Sequence, residues 1–174
     1  MANTYTLIQA QTLASAAASV TFSSIPATYT DLVVRISTRT DNGAVNDGII
    51  LTINSTAGTA YSKTTLLGNG ATATSNRSTS TNAFGTSPNG ATGSTATAST
   101  FGSIDIYVPS YTVSQNKPFG YFGAGETNAT TAYMGAIAGL WSNTATVSQL
   151  DLTPNSGINF VQYSSFYLYG IKNS

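Results

Sequence analysis

Apolar and polar residues alternate with a two-residue period along most of this chain. In the segment TDLVVRISTRT, Leu32, Val34 and Ile36 alternate with Val33, Arg35 and Ser37, and in FGSIDIYVPSY, Ile104, Ile106 and Val108 alternate with Ser103, Asp105 and Tyr107. Such alternation is typical of β-strands that bury one face. The pattern predicts a core made of the inward-facing residues of these strands: Val20, Phe22, Leu32, Val34, Ile36, Leu51, Ile53, Ile104, Ile106, Val108, Leu150, Leu152, Phe166 and Leu168.

Ten segments of ordinary strand length carry β patterns, and turns rich in Gly, Pro and Asn separate them. They are TYTLIQAQTL, SVTFSSI, TDLVVRISTRT, GIILTINS, AYSKTTLLG, FGSIDIYVPSY, KPFGYFGAGE, AYMGAIAGLWS, TVSQLDLTP and SSFYLYGIKN. The scarcity of Glu, Lys and Arg argues against helices. We therefore predict an all-β fold: an antiparallel β-sandwich, jelly-roll-like, with about 8–10 strands. An immunoglobulin-like sandwich is the alternative, although the Cys–Trp–Cys pattern is missing.

The segment from Thr74 to Thr100 departs from this alternation. It contains one charge, Arg77, and one aromatic ring, Phe84, among small polar residues and glycine. Such a composition buries too little apolar surface to order itself, and loops of this length are usually functional or disordered. The sequence predicts one domain, residues 1–174, in which 74–100 forms a long polar loop or arm. Two interpretations are open: a passive crossing loop or pair of edge strands, and an arm that contacts and is ordered by another subunit.

Charge and composition limit the classes of partner that the chain can be expected to bind. The chain has 174 residues, of which only 7% are charged, and six basic residues balance six acidic ones. A protein near zero net charge tends to associate, and the scattered basic residues form no patch for nucleic acid. The longest nearly apolar run, Ala132 to Trp141, has about half the length that a membrane span needs. The first residues lack the pattern of a signal peptide.

The chain contains few of the residue types that catalysis requires. The chain has no cysteine and no histidine, which excludes the common nucleophile–base pairs and thiol chemistry. Ser62 and Lys63 are adjacent, so on a strand they would point to opposite faces. A pair of carboxylates for glycoside hydrolysis would have to come from a small, scattered set. These acids are Asp31, Asp41, Asp47, Asp105, Glu126 and Asp151. We therefore predict that the chain is not an enzyme.

No metal or cofactor site is predicted. The segment DNGAVND, from Asp41 to Asp47, resembles a fragment of a calcium loop but lacks the spacing and the closing Glu of an EF-hand. A hairpin turn with Asn42 and Gly43 at its tip is the favoured interpretation. The GNG and GAG tripeptides fit no phosphate-binding loop.

Aromatic residues remain as a candidate binding feature. Tyr167 and Tyr169 alternate with Phe166 and Leu168, which places the two tyrosines on the outward face of the final strand. Aromatic rings on an open sheet face can form a protein interface or a platform for sugars. The candidate interface residues are Arg77, Phe84, Tyr167 and Tyr169.

Two segments resemble a known family. YTLIQAQTLASAAASVTFSSIPATYTDLVVRIS (residues 5–37) is similar to the opening of small virion proteins from tailed bacteriophages, and SSFYLYGIKNS resembles their terminal strand. The middle of the chain, from Ala44 to Ala98, shows no such similarity.

The resemblance implies a jelly-roll protein on the virion surface, made in the host cytoplasm. The implied function is that of a capsid decoration (cement) protein, a homotrimer bound to the major capsid protein. A carbohydrate-binding module of a tail or fibre is the alternative. No catalytic residue is implied.

Overall fold

A computed structural model describes residues 4–56, 58–86, 90–128 and 131–173 of the chain. Its regular structure is all β, and the described residues contain no helix that could cross a membrane. The strands are β1 Tyr5–Thr12, β2 Val20–Phe22, β3 Asp31–Thr38, β4 Asn46–Asp47, β5 Ile49–Ile53, β6 Tyr61–Gly68, β7 Ala73–Thr81, β8 Phe84–Gly85, β9 Ala91–Thr92, β10 Gly102–Val108, β11 Lys117–Gly125, β12 Tyr133–Trp141, β13 Leu150–Pro154 and β14 Ser165–Ile171.

Two antiparallel sheets pack against each other around one core. The larger sheet has eight strands in the order β1-β14-β3-β10-β11-β12-β6-β7, and the smaller has four in the order β2-β13-β5-β8. Strands β4 and β9 form a separate two-stranded ribbon. The inward rows of both sheets meet in a single hydrophobic cluster that includes every core residue predicted from the alternation. The prediction of an all-β sandwich is confirmed.

The connectivity is that of an antiparallel ribbon rolled up on itself. β1 pairs with β14, β2 with β13, β3 with β10 and β5 with β8, so the first half of the chain pairs with the second half in reverse order. This is the jelly-roll arrangement of two packed sheets. Two hairpins, β6–β7 and β11–β12, lie outside these eight strands and widen the larger sheet beyond β10.

The prediction of a long polar loop over residues 74–100 is wrong where three strands occupy the segment, at residues 74–81, 84–85 and 91–92. β7 begins at Ala73 and forms one edge of the larger sheet, β8 joins the smaller sheet, and β9 pairs with β4. Residues 87–89 of this segment lie outside the described residues. The interpretation that included a pair of edge strands agrees with β7 and β8, which lie at sheet edges, whereas contact of the segment with another subunit stays a prediction.

Arg39 fixes the last part of the same segment. Its guanidinium donates hydrogen bonds of 2.9 to 3.2 Å to four main-chain carbonyls, those of Ser94, Ala96, Thr97 and Thr100. In addition, the main-chain N–H groups of residues 93–95 donate to carbonyls of residues 42–45. Because these partners belong to the chain itself, this part of the segment needs no neighbouring subunit to become ordered.

The predicted hairpin with Asn42 and Gly43 at its tip is also wrong. β3 ends at Thr38, and the next strand, β4, pairs with β9 instead of returning along β3. The carbonyl of Asn42 accepts a hydrogen bond from the Ser94 N–H. The turn therefore serves as a docking point for residues 93–95, which a local turn motif does not reveal.

Asp47 connects this turn to the loop that precedes β14. The carboxylate is fully buried and accepts hydrogen bonds from the Thr40 hydroxyl at 2.9 Å and from the Gly48 N–H at 2.8 Å. It also accepts from the N–H groups of Ser156 at 3.1 Å and Gly157 at 3.0 Å. Four donors saturate the two oxygens, so Asp47 acts as a structural acceptor rather than as a cation ligand.

Asp41 makes similar bonds at the surface. Its carboxylate accepts hydrogen bonds from the N–H groups of Ile158 at 2.7 Å and Asn159 at 2.9 Å. Desolvation would raise the pKa of Asp41, but the bonds from Asn159 and Ile158 outweigh it and hold the pKa below its ordinary value. Together, Asp41 and Asp47 fix residues 156–159 against the turn.

Candidate functional site

One face of the eight-stranded sheet is the most exposed apolar surface of the described chain. The inward face of this sheet covers the core, whereas the outward face carries no packed strand from the described residues. Of nine large apolar side chains that are exposed, six lie on this outward face: Tyr5, Leu7, Leu66, Tyr107, Phe122 and Met134. A concentration of exposed apolar side chains is typical of interaction surfaces.

The part of the face formed by β11, β12 and β6 is almost entirely apolar. We call the outward residues Leu66, Phe122, Met134, Ala136 and Ala138 the apolar strip. The pairing registers place Ala136 between Phe122 and Leu66, so small side chains lie between larger ones. A shallow cleft of about 250 Å³ runs along the strip. None of the outward side chains of these three strands is charged.

The part of the face formed by β1, β14, β3 and β10 has a different chemistry. Here four tyrosines, which we call the tyrosine cluster, surround an ion pair between Arg35 Nε and Asp105 Oδ1 at 3.5 Å. The cluster consists of Tyr5, Tyr107, Tyr167 and Tyr169.

The aromatic rings and the ion pair hold one another in place. The ring centroids of Tyr5 and Tyr169 are 6.3 Å apart in an edge-on contact, and the Arg35 guanidinium carbon lies 5.8 Å from the centroid of Tyr5. The Tyr107 hydroxyl donates to Asp31 Oδ2 at 2.9 Å. Desolvation and the Asp31 carboxylate together raise the pKa of Tyr107. The cluster is therefore partly preorganised although it lies at the surface.

Two shallow clefts flank the ion pair. One, of about 430 Å³, is lined by Ser37, Ser103, Ser165, Tyr167 and Tyr169, and the other, of about 340 Å³, by Tyr5, Val33, Tyr107 and Phe122. Arg35 and Asp105 contribute to both clefts. The two side chains are 59% and 56% exposed, so a ligand in either cleft could reach their remaining hydrogen-bonding groups.

Three of the four candidate interface residues lie on this face, but they are not close together. Tyr167 and Tyr169 are half-buried members of the tyrosine cluster on β14. Arg77 is exposed on β7, in the same outward row as Thr64 and Ala138 and at the opposite side of the sheet. The outward placement of the two tyrosines, predicted from the alternation along β14, is confirmed, whereas Arg77 belongs to a strand that the sequence pattern did not predict.

The placement of Phe84 on an exposed interface is wrong. Phe84 is 1% exposed and contacts the ring of Phe119 edge-on, with 4.6 Å between centroids. It is part of β8, which pairs with β5 at the edge of the smaller sheet. An aromatic ring in a polar segment belonged to the core rather than to a subunit contact.

Sequence reasoning missed the residues that make the face distinctive. Leu66, Phe122 and Met134 come from strands whose period was recognised, but one sequence does not show which sheet face stays uncovered. Arg35 and Asp105 were placed opposite the apolar rows of their strands, and the register of β3 with β10 now brings them together. Strand order, which determines this contact, is a long-range property of the fold.

Two lysines away from the outward face bind main-chain carbonyls of the fold. Lys117 is fully buried and donates to the carbonyls of Val113, Gln115 and Thr144, and burial lowers its pKa. Lys63 lies on the inward side, donates to the Gly85 carbonyl and faces the Phe84 ring, whereas Ser62 belongs to the outward row. The expected separation of Ser62 from Lys63 is confirmed. Among the described residues, no three metal-ligating side chains of the Asp, Glu, His or Cys type come together.

The side chains of the outward face suit two kinds of ligand. The apolar strip suits an apolar protein surface, and the tyrosine cluster suits a polar ligand with a ring that can stack on tyrosine. No protein-family model, curated protein or solved structure matches the chain. The functional argument therefore starts from the residues of this face.

Proposed function

We propose that this chain is a structural protein of a tailed-phage virion, a capsid decoration (cement) protein that stabilises the head through subunit contacts. The observation that supports this proposal most directly is the apolar strip, an uncharged and exposed surface on one face of the larger sheet. The resemblance of residues 5–37 and 164–174 to small virion proteins favours the same function. The partners we propose are the major capsid protein and further copies of the chain, as a homotrimer on the virion.

The strip suits a permanent protein contact. Leu66, Phe122 and Met134 are 58%, 47% and 55% exposed in the isolated chain. Covering each of these side chains would contribute at least about 1 kcal/mol to an interface. The absence of charge on the strip removes the desolvation penalty that charged groups would impose. The zero net charge of the chain also limits repulsion between neighbouring copies.

Leu66→Glu is expected to leave the fold intact and to weaken assembly by at least about 100-fold, because it buries an unpaired carboxylate in the contact. Leu66 is exposed in the isolated chain, so the melting temperature should change little. Sedimentation velocity of the purified chain and occupancy on purified virions measure the effect.

Ile158→Glu is the matched control. Ile158 is 77% exposed but lies in the loop between β13 and β14, away from the strip. The Ile158→Glu variant should assemble like the parent. Full occupancy of the Leu66→Glu variant, with an unchanged oligomeric state, would contradict the proposed role of the strip.

The tyrosine cluster favours a second candidate function, a carbohydrate-binding module of a tail or fibre. Tyrosine rings can stack on the apolar faces of sugars, and Arg, Asp and Ser side chains can hydrogen-bond to sugar hydroxyls. Arg35 is already paired with Asp105, so the site is better suited to neutral than to acidic sugars.

Tyr169→Ala should reduce binding to neutral glycans at least 10-fold on a glycan array if this second function holds, because it removes one wall of the larger cleft. Tyr163→Asn is the control: Tyr163 is 68% exposed outside the sheet, and its φ of 72° is one that asparagine tolerates. Copy number separates the two functions, since hundreds of copies per virion favour a cement protein and low tens favour a tail or fibre. Equal glycan signals for both variants and the parent would reject the sugar site.

A further inference from the structure

The four edges of the two main sheets differ in how open they are to further strands. In the smaller sheet the edges are β2 and β8, which have only three and two residues. In the larger sheet β1 is interrupted by a register shift between Leu7 and Gln9. The fourth edge, β7, has nine residues; its pairing with β6 is uninterrupted from Ala73 to Ser78 and shifts register between Ser78 and Thr81. β7 is thus the longest regular edge in the described part of the molecule.

A strand edge of this length is normally protected. Its outer N–H and C=O groups can pair with any extended chain, and proteins commonly block such pairing with proline, bulges or several charges. β7 has the sequence ATSNRSTST, with one charge, Arg77, and no proline. Most of its side chains are exposed. Serine and threonine pair well across strands, so the composition of β7 favours addition of a further strand.

We propose that β7 pairs antiparallel with β7 of a second copy of this chain, across a two-fold axis perpendicular to the sheet. The two eight-stranded sheets then form one continuous sheet of sixteen strands. This inference rests on the proposed assembly function and names one of its contacts, a two-fold contact between copies that belong to neighbouring trimers. Of the segment Thr74–Thr100, it assigns the subunit contact to β7 alone.

A second copy fits the edge because β7 is complementary to itself when the pairing is centred on Asn76. Across a two-fold axis, one residue of the strand must lie opposite its own equivalent. Centring on Arg77 would place two guanidinium groups opposite each other, which is unfavourable. Centring on Ser78 would include Ser80, whose φ of 55° interrupts the extended edge. Centring on Asn76 avoids both problems and pairs residues 73–79, with Arg77 opposite the partner subunit's Ser75.

The same axis has a consequence for the apolar strip. A two-fold axis perpendicular to the sheet keeps the outward faces of both copies on the same side. Leu66 is the strip residue next to β7, opposite Ser75 in the register. The two strips would therefore lie on one side of the joined sheet, with the outward Ser75 and Arg77 side chains of the two β7 strands between them.

Single-cysteine crosslinking tests this arrangement directly, because the chain has no native cysteine. Opposed residues of an antiparallel pair have Cα atoms about 4.5–5.5 Å apart, within the range of a disulfide. Asn76→Cys should give a disulfide-linked dimer as the main product under mild oxidation. Ala10→Cys, on the exposed edge strand β1, is the matched control and should give little disulfide-linked dimer.

A charge variant tests the register by an independent route. Ser75→Lys places a cation opposite the partner subunit's Arg77 at two symmetric positions, and should weaken β7 pairing at least 10-fold. Ser75→Glu places an anion there and should strengthen it. Concentration-dependent sedimentation of both variants measures the shift, and neither substitution touches the core because Ser75 is exposed.

The outcomes separate this inference from the proposed function. Equal crosslinking of Asn76→Cys and Ala10→Cys would overturn β7 pairing, and so would a preferred crosslink between β7 and β1 in a chain carrying both cysteines. If Leu66→Glu still abolished assembly in that case, the strip contact would stand without the edge contact. Efficient Asn76 crosslinking, with opposite shifts for the two Ser75 variants, supports the two-fold pairing.

Discussion

Asp47→Ala is expected to lower the free energy of unfolding by about 3–5 kcal/mol, because it leaves several buried donors without an acceptor. The carboxylate is fully buried and receives bonds from Thr40, Gly48, Ser156 and Gly157. Alanine has no side-chain oxygen and cannot accept any of these hydrogen bonds. Urea unfolding followed by intrinsic fluorescence measures the loss.

Asp105→Ala is the matched control, since it removes an aspartate whose side chain is 56% exposed in a surface ion pair. Such pairs contribute about 0–1 kcal/mol. Asp47→Asn keeps the shape and one carbonyl oxygen and should fall between the parent and Asp47→Ala. Equal stability of Asp47→Ala and Asp105→Ala would show that the donors around Asp47 find other acceptors.

Ile106→Ala should destabilise the fold by about 2–5 kcal/mol through the lost burial and the cavity left behind. Ile106 is fully buried on β10, opposite Val34 on β3 and Tyr121 on β11. For a chain of this size, each 1 kcal/mol lowers the melting temperature by about 2–4 °C. Differential scanning calorimetry gives both the shift and the unfolding enthalpy.

Val113→Ala provides the comparison for this core substitution. Val113 is 50% exposed in the loop between β10 and β11, so its truncation should change stability by less than about 0.5 kcal/mol. If Ile106→Ala melted together with Val113→Ala, the inward face of β10 would be assigned wrongly.

Much of the fold could be predicted from the sequence because half-buried strands leave a two-residue period. β10 and β11 follow the pattern closely, with buried and exposed positions in strict alternation over most of their length. A one-residue change of register would expose the entire inward row, so the alternation also identifies the core. All ten predicted segments correspond to strands of the structure.

The four strands that were missed have little or no apolar period. β7 is an exposed edge strand without an apolar face, and β4, β8 and β9 have two residues each. Partners distant in sequence determine the structure of the three short strands, because β4 pairs with β9 and β8 pairs with β5. Neither interaction leaves a local pattern.

In the candidate site, too, the residues placed by a local period were predicted and those placed by distant strands were not. Tyr167 and Tyr169 were placed outward because Phe166 and Leu168 alternate with them, and local period was sufficient. Phe84 was misplaced because its polar neighbours suggested exposure, whereas Phe119, on a different strand of the other sheet, provides its contact. The apolar strip required the strand order β11-β12-β6, which joins segments far apart in the chain.

The rolled-up ribbon has a consequence for the order in which the chain folds. Thr12 pairs with Ser165 and Phe22 with Leu150, so β1 and β2 have no sheet partner until β13 and β14 have been synthesised. Contacts this distant carry a large loop-closure entropy, and β-sandwiches of this kind fold in milliseconds to seconds rather than microseconds. The hairpins β6–β7 and β11–β12 are local and can form on the ribosome. We therefore expect the widened side of the sheet, with its open β7 edge, to exist before the jelly roll closes around the core.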